Sequence, residues 1–294
     1  MTAVEVPRSS LSAPAAIATD ARRSAARASW TALGALLLRD LTVLRKHLAE
    51  FVLRTLIQPF LLVFVFLFVF PEIGQSVGGG SGSASFATVL VPGVVGISVM
   101  FQGVQSVALT LAQEFGFTRE IEDRVQAPCP VWLVAVAKIL SGVVQGILAA
   151  VIVFPIAAVV HAAGVHPVFD IKWGIALTLI PLTCIAFSSL GLVLGCVFEP
   201  RNIGLMFGFI VLPITFLGGT YYPWTRLASV KVGGFKWLQT LVLINPLIYV
   251  NEGMRAAFTA VPHMHLYVVY PVLVGFSVVF VGLGIRSFKK RVLS

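Results

Sequence analysis

The chain has 294 residues, of which 58% are hydrophobic and only 11% charged, with a formal net charge of +9. A soluble domain carries roughly 25% charged residues, so this composition excludes an ordinary soluble globular protein. No basic groove interleaved with aromatics marks a nucleic-acid binder, and the three cysteines build no disulfide framework: Cys129 reads as cytosolic, while Cys184 and Cys196 lie too far apart along one apolar segment to bridge.

Residues 1–29, rich in Ala, Ser and Arg, lack the apolar core of a signal peptide and read as a disordered cytoplasmic tail. In Trp30–Arg54 the residues Trp30, Leu33, Leu37, Leu41, Leu44, Leu48 and Phe51 recur at three- and four-residue steps. Arg39, Asp40, Arg45, Lys46 and Glu50 fill the remaining surface. That pattern predicts an amphipathic helix over 30–54 lying in the inner membrane interface; the alternative is a cytoplasmic extension of the first span.

Six spans follow, at about 55–70, 86–112, 131–160, 173–198, 203–219 and 265–285, each a nearly uncharged stretch close to the roughly 20 apolar residues a membrane helix needs. Gly74–Ser85 and His161–Lys172 read as external links, Gln113–Pro130 and Glu199–Asn202 as internal ones, and Thr220–His263 as a long external segment. Within that segment Trp237–Asn251 is apolar yet too short to cross, and Asn245-Pro246 interrupts it. With six spans, 16 of the 21 basic residues fall on one side, including Arg119, Arg124, Lys138, Arg201 and the cluster Arg286–Arg291. Basic residues favour the cytoplasm, so both termini are expected there.

Absences narrow the chemistry. A P-loop needs Lys followed by Ser or Thr, and none of the lysines is so followed. No acidic or basic residue is expected in mid-span, which disfavours a proton-coupled relay. His166 and Asp170 lie on an external link without a nucleophile, so no catalytic residue and no metal site is expected. Gln102 and Gln105 share one face of the second span, as do Gly142/Gly146, Gly191/Gly195 and Gly204/Gly208 in three others. The small pairs suit close helix packing, and the glutamines need partners in protein or water, so they either pack or line a path.

The segment Glu114–Pro130, EFGFTREIEDRVQAPCP, ahead of the span led by Lys138, resembles the cytoplasmic coupling segment of ABC-2 type transporter permeases. Three further stretches are similar to the same family in the same order: Ser188–Asn202, Pro213–Pro223 (PITFLGGTYYP) and Trp237–Arg255 (WLQTLVLINPLIYVNEGMR). Ile248 and Gly253 depart mildly from the pattern. The resemblance covers about residues 30–290, and the drug-resistance and nodulation-factor exporters look most alike.

The resemblance implies an all-α integral membrane domain over 30–290, with six transmembrane helices, the N-terminal interfacial helix, and an external re-entrant helical hairpin between spans 5 and 6. It implies a permease subunit in the cell membrane, paired with a second permease and with a separate ABC ATPase. This chain then needs no cofactor, because ATP and Mg sit on the partner, and it moves an amphipathic, lipid-like, drug-like or glycan substrate outward. Glu114, Phe115, Phe117, Thr118, Arg119, Glu120 and Asp123 are expected to touch the ATPase, with a Phe in its groove and Glu114, Arg119 and Glu120 at the rim. Tyr221, Tyr222, Asn245, Pro246, Tyr249, Glu252 and Arg255 are expected at an external gate. In it Glu252 and Arg255, three apart on a helix, pair and point toward the outer surface. An ATP-independent channel or secondary transporter remains the alternative, as does a membrane enzyme or scaffold; flux or turnover from the chain alone distinguishes them.

Overall fold

A computed structural model describes residues 13–74, 83–118, 130–160, 167–230 and 236–293, and the secondary structure among them is helical throughout. In chain order the helices are α1 (Ala13–Lys46), α2 (Leu48–Glu72), α3 (Ser83–Gln113), α4 (Val131–Val159), α5 (Trp173–Val197), α6 (Pro200–Phe216), α7 (Trp237–Leu241), α8 (Pro246–Phe258) and α9 (Leu266–Leu293). Five of them, α2, α3, α4, α5 and α9, are long and apolar enough to cross a membrane, and α6 is apolar but shorter. The protein is thus an all-α, multi-span membrane fold.

Two features of the N-terminal region differ from the sequence reading. Helix α1 begins at Ala13, inside the stretch read as a tail, where an alanine-rich run has high helix propensity. The helix expected over 30–54 is divided at His47, and residues 48–54 belong to α2. Past His47 the buried set becomes Phe51, Thr55, Pro59 and Val63, one face at four-residue steps that runs into the apolar span. Helix α1 instead docks Leu33 on Leu133 and Ala137 at the start of α4.

Helix α3 is the axis of the bundle. Of its most apolar window 89% is buried inside the protein, against 22% for α2 and for α9, whose large apolar side chains face outward. Close packing onto α3 depends on missing side chains. A Cβ on Gly191 of α5 would lie 2.7 Å from the Val104 carbonyl oxygen, and one on Gly195 would lie 3.0 Å from the Ala108 Cα. Gly142 and Gly146 of α4 face Ser188 and Cys184 of α5 in the same manner, whereas Gly204 and Gly208 of α6 meet nothing within 4 Å.

Two helices carry a π-helical wide turn within their length, Phe64–Val69 in α2 and Phe207–Val211 in α6. Each closes just ahead of a proline, Pro71 and Pro213, with the Phe70 N–H donating to Val65 and the Leu212 N–H to Phe207. A proline ring inside a helix collides with the carbonyl four residues back, and the wider turn relieves that crowding.

Candidate functional site

Three clusters of polar side chains occupy the bundle, one at each end and one between. At one end the opening of the coupling segment, Glu114–Thr118, continues α3 as a wide helical turn. Glu114 is buried and its carboxylate accepts from Lys138 Nζ of α4 at 2.5 Å. Glu114, expected at the rim of a partner interface, is thus buried and paired within the chain, and Lys138, counted among the cytoplasmic basic residues, is its buried ion-pair partner. The pairing has a physical cause, because an isolated buried charge is far costlier than a matched one.

Phe115 also turns inward. Its ring, half-buried, lies 6.3 Å from that of Phe288 and under the Arg291 guanidinium of α9, 4.6 Å away. Phe117 and Thr118 continue the helical turn, while Arg119, Glu120 and Asp123 lie outside the described residues.

A cleft of about 510 Å³ lies beside this end, between α1, α2, α3 and α4, with Arg39, His47, Arg54, Ser106, Lys138 and Gln145 in its wall. Deeper in the bundle, Thr55 Oγ1 donates to Gln102 Oε1 at 3.1 Å and Gln102 Nε2 donates to Gln145 Oε1 at 3.2 Å. Gln105 and Gln102, together with Arg54, Gln58 and Ser98, line a further space of about 30 Å³, enough for a water molecule. The two glutamines therefore do share a polar face. Gln145, which sequence reasoning missed, completes it and also borders the cleft.

At the opposite end α8 carries the polar residues, and all thirteen of its positions are buried. Its first turn starts as the Asn-Pro pair predicts: Asn245 Oδ1 accepts from the Leu247 N–H at 2.9 Å and Pro246 occupies the first helical position, where a missing N–H costs nothing. From there α8 reads the carbonyl end of α6. Asn245 Nδ2 donates to Ile214 O at 2.7 Å, Asn251 Nδ2 donates to Gly218 O at 2.7 Å, and Arg255 Nη2 donates to Gly219 O and, at 3.3 Å, to Thr220 O. Ile214 O is one of the orphan acceptors that a helix C-terminus leaves, the other three belong to the turn that follows α6, and a cation there also meets the negative end of the helix dipole. Gly219 holds φ +67, a left-handed conformation that turns the chain beneath Arg255.

Glu252 faces the other way and gathers two loops. One carboxylate oxygen accepts from the Trp224 N–H at 2.7 Å and from Arg255 Nη1 at 2.9 Å; the other accepts from the Met264 N–H at 2.8 Å. The expected Glu252–Arg255 pair is therefore present, but it is fully buried rather than turned to the outer surface. The reason is the hydrogen-bonding demand: the turn 217–224 and the linker 259–265 supply donors and acceptors that only a buried acid and base can satisfy together. The far end of α8 is closed by the Asp170 and Lys172 N–H groups, which donate to Phe258 O and Ala257 O.

Tyr222 Oη donates to Phe216 O and Tyr249 Oη to Leu243 O, so both tyrosines brace the same cluster. Burial raises the Tyr221 and Tyr222 phenols, and both stay protonated at neutral pH. Sequence reasoning missed Asn251, Thr220, Trp224 and Met264, and it missed Gly93 and Gly96 of α3, which clear the room for Thr220 and Asn251. The three-residue spacing of those glycines was the available signal.

Nothing in these clusters has the geometry of a catalytic centre, and no group of three metal-ligating side chains occurs among the described residues. The arrangement suits binding and movement: a polar cleft at one end, glutamines leading inward from it, and a hydrogen-bonded plug at the other. A family model described as ABC-2 type transporter matches residues 31–259. Among similar curated proteins, the inner membrane transport permease YadH of Escherichia coli K12 is 30% identical over 249 residues, which span 80% of this chain and 90% of that protein. The YadH permease of Shigella flexneri matches with the same identity and shares.

Proposed function

The chain belongs to the ABC-2 type transporter family and is the transmembrane permease component of an ABC exporter, and from that premise we propose how it works. It is a multi-pass protein of the inner or plasma membrane and not itself an enzyme, since the family's ATP hydrolysis resides in a separate chain. Two such permeases and two ATPases assemble, and ATP closes the ATPases against segment 114–123. Both termini and that segment face the cytoplasm. Helix α6 makes the sixth crossing: at about 1.5 Å per residue it extends roughly 25 Å, and its two ends reach Gly116 through Pro200 and α8 through Ile214. Helices α7 and α8 form a hairpin that dips into the outer leaflet, and α1 rests in the inner interface.

The observation that carries the transport reading is the continuity between the cleft and the glutamines. Arg54 lines both the cleft and the space beside Gln102 and Gln105, which supports reading the two as one polar route from the cytoplasmic end toward mid-bundle. An amphipathic, lipid-like, drug-like or glycan substrate is received there and released outward past a buried plug in which Asn245, Tyr249, Glu252 and Arg255 at α8, with Tyr221 and Tyr222 of the turn after α6, hold the external gate shut. Alternating access follows if ATP favours one arrangement, because a ligand with equal affinity for both shifts nothing.

The test needs no known substrate. In the permease–ATPase complex reconstituted in vesicles, Gln105→Cys in a Cys129→Ser background is exposed to an impermeant thiol reagent from the ATPase side, with and without trapping by ADP and vanadate. Labelling without nucleotide and protection after trapping is expected. Equal labelling in both states removes the alternating route.

A further inference from the structure

The coupling segment is joined by the chain only to α3 and α4, yet its first turn also touches α9 and the α5–α6 junction. Four contacts fix it. Glu114 is paired with Lys138. Phe115 packs beside the fully buried Phe288. A Cβ on Gly116 would come within 2.7 Å of the Pro200 ring, so the turn lies directly against the link Pro200–Asn202. The fourth contact is Arg291. Its Nη1 donates to the carbonyl oxygens of Gly195, Cys196 and Phe198, at 3.2, 2.6 and 2.8 Å, while its plane covers the Phe115 ring at 4.6 Å.

We propose that Arg291 is a positioning residue that carries displacement of the coupling segment across to the cytoplasmic end of α5 and the start of α6. This rests on the reading that segment 114–123 meets the ATPase. A guanidinium suits the task because it donates within its plane and attracts an aromatic ring on its face at the same time. The carbonyls it grips are those left free at the C-terminus of α5, where a cation is also favoured by the helix dipole. When the ATPase moves Phe115, the ring takes Arg291 with it, and Arg291 takes the end of α5. Gly116 against Pro200 pushes the following turn in the same motion. The last turn of α9 is thereby a working part of transmission rather than an anchor for the C-terminus.

The experiment is hydrogen exchange on the full permease–ATPase complex, comparing the nucleotide-free state with the state trapped by ADP and vanadate. In the parent, trapping changes exchange in both 114–130 and 199–206. Arg291→Gln keeps a hydrogen-bonding side chain but loses the cation, and is expected to keep the change in 114–130 while the change in 199–206 shrinks about five-fold. Arg291→Lys, which keeps the charge without the plane, recovers part of it. If Arg291→Gln does not assemble, Phe115→Leu reads the same link from its other side and is expected to give the same loss at 199–206. An undiminished change at 199–206 in either variant overturns the relay and leaves the docking reading intact. No change at 114–130 in the parent removes the docking reading, and the relay falls with it.

Discussion

Lys138 Nζ and a Glu114 carboxylate oxygen lie 2.5 Å apart, 24 residues removed in sequence, with both side chains buried at the end of the bundle where the coupling segment begins. Removing one partner of such a pair leaves an uncompensated charge, at a cost of about 3–5 kcal/mol. Lys138→Met alone and Glu114→Gln alone are therefore expected to lower the thermal midpoint of the purified protein, with Lys138→Met the more severe because the Gln amide oxygen can still accept from Lys138, whereas Met donates nothing to the Glu114 carboxylate. The double variant should regain most of the loss. Single variants as stable as the parent would show that the pair is solvated and contributes little.

The external cluster predicts protection from reagents. With Glu252 and Arg255 fully buried, Glu252→Cys is expected to resist an impermeant thiol reagent on intact cells, while Lys236→Cys, at an exposed position before α7, reacts. Strong labelling at 252 would mean that the plug opens at rest. Because Glu252 bonds the backbone of Trp224 and Met264, Glu252→Ala should also lower yield and stability, by about 3–5 kcal/mol, rather than affect release alone.

Glycines in α3 and α6 separate two kinds of site. An added Cβ at Gly96 strikes the Asn251 side chain, and one at Gly93 meets Thr220 backbone. Overpacking of this kind costs about 1–3 kcal/mol. Gly96→Ala is expected to destabilise by that amount, whereas Gly208→Ala, with nothing within 4 Å, should stay within about 0.5 kcal/mol of the parent. Equal melting of the two variants would remove the assigned contact between α3 and α8.

Gln102 bridges Thr55 and Gln145. Replacement by Leu leaves both partners unsatisfied, at about 1–3 kcal/mol if the site is dry. A loss well below that, with Gln105→Cys still reactive toward the thiol reagent, would indicate that water fills the column and would strengthen its reading as a route.

What the sequence made legible follows the range of the interactions involved. Five of the six expected spans were readable because apolar length is a local property, and Glu252 with Arg255 because a three-residue step puts two side chains on one helix face whatever the fold. The interruption expected at Asn245-Pro246, also a local signal, falls where α8 begins. It failed where partners are distant in sequence. Lys138 looked like a flanking charge until α3 brought Glu114 beside it, Phe115 looked like a free anchor until α9 returned to cover it, and Asn251 gave no sign of Thr220 or Gly96. Burial misled in one further respect: an acid and a base near the end of an external segment suggest a wet surface, but their backbone partners draw them inside.

The position of α3 bears on how the protein is made. It is the least hydropathic of the five long helices, at 1.8 against 2.1 to 2.4, and also the most buried. Its glutamine finds Gln145 and its glycines find Thr220 and Asn251 only after those later residues have been synthesised. A nascent chain halted after α3 would hold in lipid a helix whose polar and notched face is still uncovered, since lipid offers it no hydrogen bonds. The second span is thus the centre of something not yet built, and its surroundings are completed only when α8 follows, late in the chain.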